Sequence, residues 1–257
     1  MKAVICDIDG VLLRDETPLP GAAELVEELL VRGAPFLFLT NYPSQTPEQL
    51  RQRLREAGIT ADVPARHFYT SALATAEFLH DQAGERRRAY VVGEGALVDA
   101  LTAAGFTITD QEADYVVLGE TPEFGFDMIR RASRLIGRGA RFVATNPDVA
   151  GPEGRPSCGA FAAPIERITG HRPFYVGKPN ALMMRAALRF MQAHSEQTVI
   201  VGDNMDTDII AGINSGMETV LVLSGVTLAT DLPRYAYRPH HVVEDARAVI
   251  ALLRALP

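Results

Sequence analysis

Cysteine is scarce in this sequence, with only Cys6 and Cys158 among 257 residues. Two cysteines provide no disulfide framework, which fits a reducing compartment such as the cytoplasm. Cys6 sits inside an apolar run and reads as a small core residue. Cys158 lies in a Pro/Gly-rich stretch, and nothing in the sequence supports a reactive role for it. Basic charge is also short: 25 Lys and Arg stand against 32 Asp and Glu, a net charge of −7. There is no basic footprint for a nucleic-acid duplex or an anionic membrane surface. No apolar run approaches the ~18 residues that span a bilayer. The N-terminal apolar run is broken by Asp7 and Asp9, so no secretion leader is expected. What is present is an ordinary globular composition, 47% hydrophobic and 22% charged. The length can bury one large core or two modest ones.

The first thirteen residues organise the rest. Ala3 to Cys6 is a short apolar run that reads as a fully buried strand. It stops at Asp7-Ile8-Asp9-Gly10. Carboxylates at the end of a buried strand are costly unless a cation or a reaction compensates them. The plain alternative is a polar turn, where Asp and Gly are common. Downstream, Leu12 to Gly21 reads as a proline-containing loop. Ala22, Leu25, Val26, Leu29 and Leu30 then recur at helical spacing. Phe36 to Leu39 is the next buried strand and ends in Thr40-Asn41. Strand, helix, strand predicts a parallel crossover. Ligands sit outside the carboxyl ends of such strands, so Asp7, Asp9, Thr40 and Asn41 should converge there.

Thr46-Pro47-Glu48 starts a second helix, and a third is expected from Ser71 to Gln82. A charged stretch at 81–88 suggests a domain boundary. Strands at 89–92, 115–118 and 142–144, with helices at 96–104 and 126–136, then repeat the α/β theme. The stretch Arg138-Gly139-Ala140 to Thr145-Asn146 resembles Arg32-Gly33-Ala34 to Thr40-Asn41. The loop 146–163 is rich in Gly and Pro and is either a binding loop or plain surface. Lys178 then opens a helix, the strand 198–201 ends in Gly202-Asp203, and a helix at 244–256 closes the chain. The expected architecture is a doubly wound, Rossmann-like parallel-sheet core, 1–81 and 174–257, with a smaller α/β unit inserted at 82–173.

Carboxylates at Asp7, Asp9 and Asp203, a hydroxyl at Thr40 and an ammonium at Lys178 would meet at one sheet edge. This mix suits a phosphate ester bound with Mg²⁺. Carboxylate oxygens are the hard ligands that Mg²⁺ prefers, and Lys178 is a compact positive charge for phosphate oxygens. Asp7, beside both cations, should stay ionised, while Asp9, with no cation of its own, can carry a proton. Two carboxylates with separated pKa values can divide acid and nucleophile roles.

The set Asp7-x-Asp9-Gly10, Thr40, Lys178 and Gly202-Asp203-x-x-x-x-Asp208 resembles the haloacid dehalogenase superfamily of phosphohydrolases. Within it, the chain is similar to the NagD-type members, whose large α/β cap lies between the second and third motifs. The resemblance implies that Asp7 is a nucleophile forming an aspartyl-phosphate and Asp9 the general acid and base. It implies that Asp7, Asp203 and the Asp9 carbonyl hold Mg²⁺, and that Thr40, Asn41, Lys178 and Asn204 bind the substrate. Asp208 would support the metal site or orient Lys178. The implied substrate is a small phosphorylated metabolite, first a ribonucleoside 5′-monophosphate and otherwise a sugar or glycerol phosphate. A regulator that only binds phosphometabolites on this fold is the rival from another class, and it would be expected to have lost Asp7 or Asp9. A homo-oligomer is left open.

Three weaker signals compete. Asp206 could act as a metal ligand, but the spacing to Asp208 favours Asp203. Asp148 is a minor candidate for specificity. Gly93-x-Gly95 follows a strand as a dinucleotide fingerprint does, but Val98 stands where its third glycine belongs.

Overall fold

The computed structural model describes residues 1–151 and 154–256; Pro152 and Glu153, inside the predicted loop 146–163, lie outside them. β1 (Ala3–Cys6) leads through a hairpin of β2 (Leu13–Arg14) and β3 (Thr17–Pro18) to α1 (Ala22–Val31). β4 (Phe36–Thr40), α2 (Pro47–Glu56), β5 (Phe68–Thr70) and α3 (Ser71–Ala83) follow. The middle of the chain forms β6 (Arg88–Val92), α4 (Gly95–Ala103), β7 (Thr107–Ile108), β8 (Tyr115–Leu118) and α5 (Phe126–Gly137). It continues as β9 (Arg141–Ala144), α6 (Cys158–Thr169) and β10 (Phe174–Tyr175). The last part comprises α7 (Ala181–Met191), β11 (Thr198–Gly202), α8 (Ile210–Ser215), β12 (Glu218–Val222), β13 (His241–Val243) and α9 (Ala246–Ala255).

Two compact units emerge. The first is 1–40, 47–69 and 178–257, and the second is 41–46 and 70–177. Compactness therefore draws the division at 70, not at the charged stretch near 82. The reason is packing: α3 lies against α4, which belongs to the second unit.

The first unit is built on a sheet of order β13-β12-β11-β1-β4-β5. β1 pairs in parallel with both β11 and β4. The strands are apolar along their whole length because both faces are covered. Val4, Cys6, Phe36, Phe38, Val199 and Val201 pack with Leu25, Val26 and Leu29 of α1, Leu50 and Leu54 of α2, and Val249 and Leu253 of α9. The opposite face takes α7, which meets β4, and α8, which meets β12. Each such large apolar side chain contributes roughly 1.5–3 kcal/mol by leaving water. The second unit carries its own parallel sheet, β10-β9-β8-β6-β7. One face of it is covered by Ala132, Leu135 and Ile136 of α5 and by Ala162 and Ile165 of α6. A doubly wound α/β core with a second, inserted α/β unit is the observed fold. No helix among the described residues is long and apolar enough to cross a membrane.

Several local expectations are corrected. The 12–21 loop holds the β2–β3 hairpin. The 146–163 loop ends early, because α6 starts at Cys158 and accommodates Pro164 in its interior. Cys158 is fully buried there and its thiol donates to the Leu118 carbonyl. Burial pushes that thiol up to about 12, so it stays protonated and inert. Lys178 does not open a helix; it lies between β10 and α7.

Candidate active site

The site is assembled at the carboxyl ends of three neighbouring strands. Asp7 follows β1, and its backbone N–H still donates to the Val201 carbonyl of β11 at 2.9 Å. Thr40 ends β4 and Asp203 follows β11, and all three are buried. Strand pairing thus sets their spacing before any side chain acts. Asp208 arrives by a different route. The chain after Asp203 enters a π-helical turn, Met205–Ile209, which runs into α8. The Asn204 side chain caps that turn by accepting from the Asp206 N–H at 2.9 Å. The wide turn, a shape often found at functional sites, returns Asp208 to the strand end, where it is fully buried.

Carboxylate oxygens of Asp7, Asp203 and Asp208 lie within 4.8 Å of one another. The Lys178 ammonium stands among them, 2.9 Å from Asp7 Oδ1 and 2.7 Å from Asp208 Oδ1. It also donates to the Leu39 carbonyl at 3.3 Å. Two glycines make room. A Cβ on Gly10 would lie 2.2 Å from Asp203 Oδ2, and one on Gly225 1.8 Å from the same oxygen. Gly10 also has φ of 84°, the left-handed region that glycine enters freely.

The three carboxylates are not equivalent. Asp208 is saturated: Oδ1 takes Lys178, while Oδ2 accepts from the Asn204 N–H at 3.2 Å and the Thr207 hydroxyl at 3.3 Å. Asp7 uses Oδ1 for Lys178 and for the Ile8 N–H at 2.9 Å. Asp203 uses Oδ2 for the Val226 N–H at 2.6 Å. Among the described residues, Asp7 Oδ2 accepts no hydrogen bond and Asp203 Oδ1 accepts none from another residue. Burial, reinforced by Asp208 and Asp203 and opposed by Lys178, raises the Asp7 carboxyl well above the usual range. Burial and the Asp208 charge push Asp203 up to about 7. Burial opposes the Lys178 charge, but Asp208 and Asp7 outweigh it, and its pKa rises. Three carboxylates against one ammonium leave two negative charges uncompensated. Two open carboxylate oxygens with that deficit fit a hard divalent cation such as Mg²⁺.

The other predicted residues are distributed differently. The Asp9 carboxylate stands outside the acidic cluster. It does have a cation of its own, contrary to expectation: Arg53 Nη2 lies 2.9 Å from Asp9 Oδ1. Sequence reading missed Arg53. Its signal was a charged residue on the apolar face of α2, between Leu50 and Leu54. Asn41 belongs to the second unit, where its side chain donates to Asp148 at 2.7 Å, as does Asn146 at 2.8 Å. Asp206 is exposed and accepts from the Tyr235 hydroxyl at 2.9 Å. Val226 and Gly225, which seat Asp203, also escaped notice, because no motif marks the loop after β12.

The sequence matches the model of the haloacid dehalogenase-like hydrolases over 4–107 and a related hydrolase model over 175–249. It is 54% identical to the ribonucleotide monophosphatase NagD of Escherichia coli K12 over 93% of this chain and 94% of that protein. The solved NagD structure superposes with a TM-score of 0.91, covering 96% and 97% of the two chains. A dihydroxyacetone phosphatase of Corynebacterium glutamicum is 46% identical over 94% of this chain and 88% of its own. The glycerol phosphate phosphatase of Mycobacterium tuberculosis, solved in complex with magnesium, is 28% identical with a TM-score of 0.89, over 96% and 76%.

Proposed function

The chain belongs to the haloacid dehalogenase-like hydrolases and is a phosphatase, and from that premise we propose how its residues divide the reaction. Asp7 Oδ2 attacks the phosphorus of a phosphate monoester, and the ester P–O bond breaks. Asp9 gives a proton carried on Oδ2, the oxygen that Arg53 does not hold, to the departing oxygen. Water then attacks the aspartyl-phosphate, Asp9 takes its proton, and inorganic phosphate leaves with Asp7 restored. Lys178 holds Asp7 in place and offsets phosphoryl charge, with Thr40 and Asn204 as further substrate contacts. Asp7, Asp203 and the Asp9 carbonyl would hold Mg²⁺, which when bound supplies positive charge to the phosphoryl oxygens. Asp208, both of whose oxygens are taken, serves by fixing Lys178.

The observation that carries this reading is the open Asp7 oxygen, buried beside Lys178 and the Asp203 carboxylate. A regulator that only binds phosphometabolites would have no use for Asp9, which is retained. The substrate we propose is a ribonucleoside 5′-monophosphate, following the NagD relative. Small sugar or glycerol phosphates are the second reading, favoured by the names of the other two relatives. The inserted unit is proposed to set that choice, and the paucity of cysteine supports a cytoplasmic setting. Phosphate release from a panel of nucleotides and sugar phosphates, with and without EDTA, tests all of this. Asp7→Asn should lose at least about 10³-fold in kcat. Persistent turnover in that variant would remove Asp7 as nucleophile, and indifference to EDTA would remove the metal. A preference for triose or hexose phosphates would select the second substrate.

A further inference from the structure

Arg53 is 8% exposed, and arginine is rarely so buried unless its charge is used. Its guanidinium has three anchors. Nη2 donates to Asp9 Oδ1 at 2.9 Å and to the Asp15 carbonyl at 2.7 Å, and Nε donates to Glu16 Oε1 at 3.3 Å. Asp15 and Glu16 form the tip of the β2–β3 hairpin. Asp15 adopts φ of 53°, a region Asp tolerates better than most residues. Arg53 therefore ties together α2, the hairpin and one oxygen of Asp9. The other oxygen, Oδ2, accepts no hydrogen bond among the described residues. The Asp9 side chain is 31% exposed and has two rotatable bonds, so without the clamp it would sample several rotamers.

We infer that Arg53 is a positioning residue for proton transfer, holding Asp9 by Oδ1 so that Oδ2 is presented to the departing oxygen. This rests on the reading of Asp9 as proton donor. Misplacing a reacting group by an ångström can cost about 10²-fold, which is the scale on which such a clamp matters. Leaving groups distinguish this role from simple structural support. The ribose oxygen of a nucleotide must be protonated as it leaves, whereas p-nitrophenolate leaves without a proton. The first irreversible step, read as kcat/KM, should feel Arg53 only with the first kind of ester.

The test compares uridine 5′-monophosphate with p-nitrophenyl phosphate on wild type, Arg53→Met, Arg53→Lys and Asp9→Asn. Arg53→Met should lower kcat/KM for the nucleotide about 10²-fold, and for p-nitrophenyl phosphate by no more than about a tenth of that. Arg53→Lys keeps a cation within reach of Asp9 and should return the nucleotide rate to within about tenfold of wild type. If Arg53→Met does not fold, Arg53→Gln carries the same comparison. Equal losses on both esters, or no loss on either, would overturn the inference. Asp9→Asn separates the two readings. If it discriminates by leaving group and the Arg53 variants do not, Arg53 alone loses its role. If it hydrolyses the nucleotide at the wild-type rate, the reading of Asp9 itself falls.

Discussion

Replacing Lys178 with methionine should destabilise the metal-free protein by about 3–5 kcal/mol. The estimate comes from the surroundings of the ammonium. It is 2% exposed and lies 2.9 Å and 2.7 Å from two buried carboxylates, with Asp203 in the same cluster. Methionine nearly matches the length of the side chain, so packing changes little and charge changes most. The chain is then left with three buried carboxylates and no ammonium among them. The pKa values of Asp7 and Asp203, already raised, must rise further in the folded state. A folded protein that keeps protons the unfolded chain has released loses stability as pH rises. The loss should therefore be larger at pH 8 than at pH 6. Adding Asp208→Asn to Lys178→Met removes one of the stranded charges. It should restore about 0.5–3 kcal/mol relative to additivity. The measurement is urea denaturation followed by circular dichroism in EDTA at both pH values. A loss under about 1 kcal/mol at either pH, or strict additivity in the double variant, would refute the charge accounting.

Two other outcomes follow from the same cluster. Burial and Asp208 hold Asp203 at about 7 when folded, against 3.8 unfolded, so the metal-free protein should lose stability as pH rises from about 4 to 7, by at most about 4 kcal/mol. Mg²⁺ bound there would take the place of the proton, so the Tm gain on adding it should grow over that pH range; a gain independent of pH would contradict this. Gly225→Ala puts a Cβ where only 1.8 Å separates it from Asp203 Oδ2 and should displace that carboxylate. The expected result is a roughly 10–100-fold weaker Mg²⁺ dependence of activity, read by metal titration of phosphate release, with an unchanged titration counting against the placement.

The sheet was legible because fully buried parallel strands are written as short apolar runs, as in Ala3 to Cys6 and Thr198 to Val201. The polar residues that end those runs, Asp7 and Asp203, supply two of the three acids in the buried cluster. What stayed hidden was set by packing between distant elements. The edge strands β5, β7 and β13 are two or three residues long, too short for a period to register. The Cys158 loop becomes a helix because Cys158, Ala162 and Ile165 join the second core, despite Pro164. The unit division followed the packing of α3 on α4, whereas the charged stretch near 82 marks a solvated surface. Arg53 was illegible for the same reason, since spacing shows that a helix has an apolar face and not which carboxylate that face meets.

Motif spacing likewise could not rank the carboxylates. Asp7, Asp203 and Asp208 are all buried acids at one sheet edge, and by residue type each could be nucleophile, ligand or support. Hydrogen-bond capacity separates them. Each ionised carboxylate offers two oxygens with about four acceptor sites. Asp208 has both oxygens engaged, by Lys178 on one side and by the Asn204 amide and Thr207 hydroxyl on the other. Turning it toward a ligand would strip a buried ammonium of a partner, the costly case for a buried pair. Asp7 and Asp203 each keep one oxygen open at no such cost. Asp7 alone of these two also touches Lys178 directly, within hydrogen-bond distance. In the proposed reaction, an attacking oxygen next to a fixed ammonium would meet a phosphoryl group whose charge is already partly balanced. The division of labour we propose therefore rests on which oxygens the fold has left unspoken for, a property of the assembled strand ends and not of any one motif.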